Sequence, residues 1–244
     1  MPILSRKGWT GYLVELFVVV LGILIAFQVE EWRERLAESR ELSAALVRLE
    51  EETTTNLAIC VNQIPLTASM ANSAHLVLKS LSSGRLAAED VELFDTGLAM
   101  MGWNPRPPFL STVAEEMIST GLLKKLEDVR LRARIAALPR QILSVTGDLA
   151  ARGSNLQGAV DEISRAVEFD YTGTTDLAQF RAGLPIFEQG ITVKYDFEAL
   201  ARNTYLKNLV IEATDTHSDR YVTVSDLCEA LTEIGDLLSE TRTP

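Results

Sequence analysis

WTGYLVELFVVVLGILIAFQVEEW, residues 9–32, decides how the rest of the chain is read. Its unbroken apolar core, residues 16–27, is by itself too short to span a bilayer, which needs roughly 20 mostly apolar residues in a helix. Extending it over residues 9–29 supplies that length and admits only Thr10, Glu15 and Gln28 as clearly polar positions. Trp9 and Tyr12 stand at one end and Trp32 at the other, the placement of amphipathic rings at the two membrane interfaces. Glu30, Glu31 and Arg33 then end the apolar run. A secretory signal peptide is the rival reading, but ILIAFQVEEW offers no A-x-A-like cleavage site. The stretch is read as an uncleaved transmembrane helix.

One face of this span is unusual. Gly11, Glu15, Gly22 and Ala26 recur with Val18 and Val29 at three- and four-residue steps. Gly22 and Ala26 form a small-xxx-small pair, which lets helix backbones approach closely in lipid. Glu15 shares the stripe, and an ionisable group at membrane depth costs a few kcal/mol on insertion scales and faces protein or water. Two readings stay open: Glu15 snorkels to the headgroups beside Trp9 and Tyr12, or the stripe docks on another transmembrane helix, its own copy or a partner's.

The flanks set the expected orientation. Arg6 and Lys7 precede the span; Arg33, Arg35 and Arg40 come after it, interleaved with Glu30, Glu31, Glu34, Glu38 and Glu41. Basic residues alone do not favour an inside N-terminus, but the exit flank is net acidic and a short tail before a large domain fits a signal anchor. The expected layout is a cytoplasmic tail over residues 1–8, a span over 9–29 and an extracytoplasmic helical domain over 30–244.

The chain has 244 residues, 47% hydrophobic and 23% charged, enough beyond the span for one sizeable domain. A net charge of −11 argues against nucleic acid and against an anionic-lipid patch, both of which need clustered Lys and Arg. Few aromatic residues and few glycines argue against a β-sandwich or barrel. The expected fold is all-α, the transmembrane helix continuing into a bundle of long antiparallel helices.

Periodicity supports that reading. Leu42, Leu46, Leu49, Thr53, Leu57, Cys60 and Ile64 make an amphipathic stripe, with Glu41, Arg48, Glu51 and Glu52 opposite, and Pro65 is expected to end or kink the helix. Further helices are expected over about 66–82 and 88–101, the latter ending at Gly102. The prolines of GWNPRPPF stiffen the next connection. Thr112 with Glu115 reads as a capping box, Ser111 as the rival cap, and Gly121 as a left-handed helix end.

Two patches resemble a widespread bacterial family known only as a domain of unknown function. One is YLVELFVVVLGILIAFQVEEWRE; the other is STVAEEMISTGLLKKLEDVRLRARI, residues 111–135. Family members carry S-T-x-x-E-E-L-x-x-S-G-x-L, then an acidic residue and L-R-x-x-L. Here Val113 and Ala114 stand where an aromatic pair is usual, and Met117 replaces a leucine. Together with a helical C-terminal part, the resemblance covers about half of the chain and implies a helical domain anchored in the bacterial inner membrane and held outside the cytoplasm. It implies no activity.

Asp128 reads as the N-cap of the next helix. Leu131, Ile135, Leu138, Ile142, Val145 and Leu149, then Leu156, Val160, Ile163 and Val167, form a near-heptad, coiled-coil-like seam. A turn near residues 152–154 and one long bent helix are both compatible with Gly153. Residues 169–196 are the least helical, with a β-like stretch at 191–195, and are a candidate partner surface. A last helix over about 197–240 carries Leu206, Val210, Ala213, His217, Tyr221, Val224, Cys228, Leu231 and Leu238 on one stripe.

No catalytic or metal motif accompanies these elements. Cys60 and Cys228 lack C-x-x-C spacing, His75 and His217 are far apart in sequence, and no nucleophile-elbow, P-loop or zinc pattern occurs. Glu115 and Glu116 are adjacent and point to different faces. His217 reads as a core residue, and Met100, Met101 and Trp103 as core packing with a pocket as the sharper alternative. If the first and last extramembrane helices pack antiparallel, Cys60 and Cys228 face each other and can pair in an oxidising compartment; otherwise each is a small buried hydrophobe. No cofactor is expected. The expected function is a non-enzymatic membrane scaffold or accessory subunit, whose partners are the bilayer and another transmembrane protein or a second copy. The alternative is an extracytoplasmic ligand sensor that relays through a partner.

Overall fold

The computed structural model describes residues 9–104, 106–171 and 191–242. In order they form α1 (Trp9–Ser83), a 3-10 turn (Ala88–Asp90), α2 (Val91–Met100), α3 (Thr112–Ser119) and a second 3-10 turn (Leu122–Lys125). Then come α4 (Val129–Ala166), β1 (Val167–Tyr171), β2 (Ile191–Tyr195), α5 (Phe197–Arg202) and α6 (Thr204–Arg242). The fold is all-α with one small antiparallel sheet, β1–β2, in which Phe169 pairs with Val193. Two compact units result, Met1–Arg48 and Leu49–Pro244.

The first unit is helical from Trp9. Over residues 13–29 its large apolar side chains are exposed, from 44% at Val20 and Leu21 to 68% at Phe27. A helix apolar all round is a core helix or a membrane span. This one is unburied, and by length and composition it is sufficient to cross a membrane.

The second unit is built on three long helical segments: residues 49–83 of α1, α4 and α6. Thr214 of α6 donates its hydroxyl to the Ala74 carbonyl at 3.3 Å, Cys228 is bonded to Cys60, and Gly235 lies beside Leu57. Position numbers fall on one segment as they rise on the other, so α6 runs antiparallel to α1. It is likewise antiparallel to α4: Arg130 and Arg134 pair with Glu233 at one end, and Gly158 meets Leu209 at the other. Against two neighbours, α6 buries a broad face that includes Leu206, Val210, Ala213, Val224, Leu227 and Leu231. Phe94 and Leu98 of α2 complete the core with Val77, Leu81, Ile163 and Leu200. Gly97 brings α2 onto α1: a Cβ there would lie 2.6 Å from the Ser73 carbonyl oxygen, so no larger residue fits without moving backbone.

Several expectations need correction. Pro65 neither ends the helix nor starts a new one; α1 runs through it to Ser83. The bond that Pro65 cannot donate would have gone to the Val61 carbonyl, and both residues lie on the exposed side, where water replaces it. On the buried side the Thr67 hydroxyl donates to Gln63 O at 2.8 Å. Of the two readings left open at residues 152–154, the structure has the single long helix, since α4 is continuous. The last helix is broken at Asn203, whose side chain caps α6 by accepting the Leu206 N–H at 3.0 Å. Tyr221 is 38% exposed; Arg220 takes its place on the buried face. Val167, expected to close the helical seam, opens β1 instead. Of the partner surface expected in residues 169–196, residues 172–190 lie outside the described residues.

Candidate functional site

The stripe in the first unit lies as the spacing requires. At about 100° per residue, Gly11, Glu15, Gly22 and Ala26 fall within about 60° of one another around the helix axis. Nothing lies within 4 Å of the place a Cβ on Gly22 would occupy, so this face is open to an incoming backbone. Glu15 and Ala26 are exposed.

In the second unit, Cys60 and Cys228 are joined by a disulfide with the Cα atoms 5.8 Å apart, both residues 4% exposed. The bond ties α1 to α6 across 168 positions of sequence.

A second link, between α1 and the segment that leads into α3, was not visible in the apolar pattern. Glu52, expected on the polar face, is 8% exposed. Its carboxylate accepts the Val113 N–H at 3.1 Å, at the start of α3. The first turn of a helix has amides without intrahelical partners, and a carboxylate there satisfies them and complements the helix dipole. Burial raises the Glu52 pKa, while the amides of Val113, Thr112 and Ala114 oppose that rise. One turn on, Asn56 grips the strand before α3 twice: its amide donates to Leu110 O and its oxygen accepts Leu110 N–H, both at 2.8 Å. Ser111, and not Thr112 as the capping-box reading has it, is the α3 cap position; its hydroxyl donates to the Glu115 side chain at 2.6 Å and makes no bond to the helix backbone. Gly121 adopts φ +80°, as its reading as a left-handed helix end requires. Asp128 caps α4 by accepting the Arg130 and Leu131 amides. Residues 110–113 are therefore docked on α1 through two polar side chains, of a type that apolar periodicity counts as surface.

α6 holds the turn after α2. His217, 2% exposed, donates its Nε2–H to the Met101 carbonyl at 3.0 Å. Burial lowers its pKa and nearby Arg220 adds to that, against the opposing pull of the Met101 bond. Arg220 donates to the Asn104 side chain, and burial pulls its own pKa down to about 10. Met100 and Met101 are core residues, 3% and 1% exposed, whereas Trp103 lines a cavity of about 280 Å³ between the end of α2, α4 and Phe169 of β1. Elsewhere Tyr195 donates its hydroxyl to Asp95 at 2.8 Å, with Phe94 packed between the rings of Tyr195 and Phe197. Burial raises the pKa of both Asp95 and Tyr195, so the tyrosine is an anchor and not a base.

Among the described residues, no three His, Cys, Asp or Glu side chains cluster as metal ligands would. His217 stands among backbone and arginine, and Glu115 is engaged in its cap. No protein-family model, curated protein or solved structure matches the chain.

Proposed function

We propose that the protein is a non-enzymatic, membrane-anchored scaffold or accessory subunit, with its N-terminus in the cytoplasm and its helical domain outside. The observation that carries the reading is the bare apolar helix with Gly11, Glu15, Gly22 and Ala26 on one open face. Such a face favours association with a transmembrane helix, from a second copy or from another membrane protein. The disulfide between Cys60 and Cys228 supports an oxidising compartment for the domain, because cytoplasmic thiols are kept reduced. The polar side chains with altered pKa, Glu52, Asp95 and His217, are each engaged in holding one segment on another, which favours a rigid support over a reactive centre. Family membership rests on the two sequence patches, and with it the bacterial inner membrane.

Purification of the full chain in mild detergent, with identification of the proteins that accompany it, tests this reading. A stoichiometric membrane partner or a defined homo-oligomer is expected. A monodisperse monomer at every detergent and lipid ratio would overturn it. The cavity beside Trp103 favours a second reading, an extracytoplasmic ligand sensor that relays through a partner.

A further inference from the structure

We infer that the cavity beside Trp103 is a binding site for a small, neutral, ring-bearing molecule with one hydrogen-bonding group. The cavity is a cleft of about 280 Å³ that opens to solvent along Gly102, Gln157, Ser164 and Phe169, all exposed. Small-molecule sites are concave, mostly apolar clefts that begin at about this size.

The lining supplies the ligand's chemistry. Leu98, Val160, Ile163, Trp103 and Phe169 give aliphatic and aromatic wall, and Gln157 and Ser164 give the polar groups. Among the described residues no lining side chain is ionisable, and Gln157 donates its amide to the Asp161 carboxylate at 2.7 Å, which leaves its oxygen as the acceptor for a ligand. A charged ligand would lose its hydration with no opposite charge to replace it, so the site selects neutral molecules. One amide and one hydroxyl fix one polar substituent and no more.

The walls are set before anything binds. The turn carrying Trp103 is held at the Met101 carbonyl by His217, at the Trp103 N–H by Met100 O (2.9 Å) and at Asn104 by Arg220. Gly102 lies against α4 so closely that a Cβ would fall 2.1 Å from Val160 Cγ2. The backbone of Phe169 is held by its pairing with Val193. A site that needs no ordering on binding spends little of its interaction energy on closure. Phe169 remains 39% exposed at one side, a ring face that a ligand would cover. The inference stands independently of the scaffold reading.

The test uses the full chain in lipid nanodiscs with Trp9→Phe and Trp32→Phe, which leaves Trp103 as the sole tryptophan. The probe is 4-nitrobenzyl alcohol, a neutral aromatic with one hydroxyl that quenches indole fluorescence. Saturable quenching is expected above the linear background of empty nanodiscs. Ala99→Leu or Ser164→Phe, each filling the cavity, should weaken binding about tenfold or more; Ala136→Leu, at an exposed position on α4, should not. Ser164 is exposed, so its substitution keeps the fold even if the change at Ala99 does not, and circular dichroism checks both. Quenching that stays linear in probe, or saturable quenching left unchanged by a folded filling variant, would overturn the inference.

Discussion

Removing the Cys60–Cys228 bond should lower the stability of the helical unit by a predictable amount. The bridge closes 168 positions of chain. Chain-entropy theory assigns a loop of that length about 17 cal/mol/K, or about 5 kcal/mol at 25 °C, while bridges usually deliver about 2–4 kcal/mol because the unfolded chain is not fully random. We take about 3 kcal/mol for the double substitution Cys60→Ala, Cys228→Ala. The two α-carbons are 5.8 Å apart and both sites are almost fully buried, so alanine fits with little further loss. For a domain of this size, each kcal/mol shifts the midpoint by about 2–4 °C, giving an expected fall of about 6–12 °C. The assay is thermal unfolding of detergent-solubilised protein, monitored by circular dichroism, with and without reductant. Wild type under reductant should drop to the midpoint of the double variant, which should itself be insensitive to reductant. A wild-type midpoint unmoved by reductant, with the thiols shown to be free, would refute the reasoning.

Three further outcomes are expected. Gly22→Leu should weaken self- or partner association of the transmembrane segment in an in-membrane reporter assay, because it blocks close backbone approach, whereas Leu21→Ile, on another face, should not; equal silence of both would remove the stripe as an interface. Glu52→Ala strips the acceptor from the first turn of α3 and should cost about 1–2 kcal/mol in denaturant unfolding; a cost below about 0.3 kcal/mol would mean that the docked segment does not depend on it. His217 has a folded pKa below its ordinary value, so the folded protein resists its protonation and stability must fall as pH drops below about 6.5, by up to about 1.4 kcal/mol per pH unit until the folded pKa is passed. Unfolding of His217→Gln across pH 7 to 5 should lack that component of the slope, and an unchanged slope would contradict the burial argument.

The parts of the fold written in apolar periodicity were legible in the sequence. Leu131, Ile135, Leu138, Ile142 and Val145 are all buried in α4, and Leu206, Val210, Ala213, His217 and Cys228 in α6, because three-and-four spacing is a direct statement about one helix face. Caps were legible for the same reason of locality: Asp128 binds amides two and three residues away. What failed was local reasoning about effects decided by distant packing. Pro65 and Gly153 are helix breakers by propensity, yet the apolar faces on both sides of each are buried, and that burial outweighs a cost of about 1 kcal/mol for glycine and about 3 for proline. Glu52 reads as polar face, and Asn56 carries no sequence signal, because their partners, Val113 and Leu110, are 61 and 54 residues away. Arg220 likewise could not be preferred over Tyr221 for the core face without knowing that Asn104 waits there. Of the candidate site residues, the spacing of the stripe was plain in the sequence, and Cys60 and Cys228 were a matched pair of positions on two stripes whose register only the fold supplies.

The central claim, an anchored chain with its helical domain outside the cytoplasm, is tested most directly by labelling Asp215→Cys in spheroplasts with a membrane-impermeant maleimide. Asp215 is exposed on α6, and the two native cysteines are bonded to each other, so the wild-type chain should give no signal of its own. The account predicts labelling of the variant in intact spheroplasts, with no increase on lysis. Labelling that appears only after lysis would place the domain in the cytoplasm and contradict it.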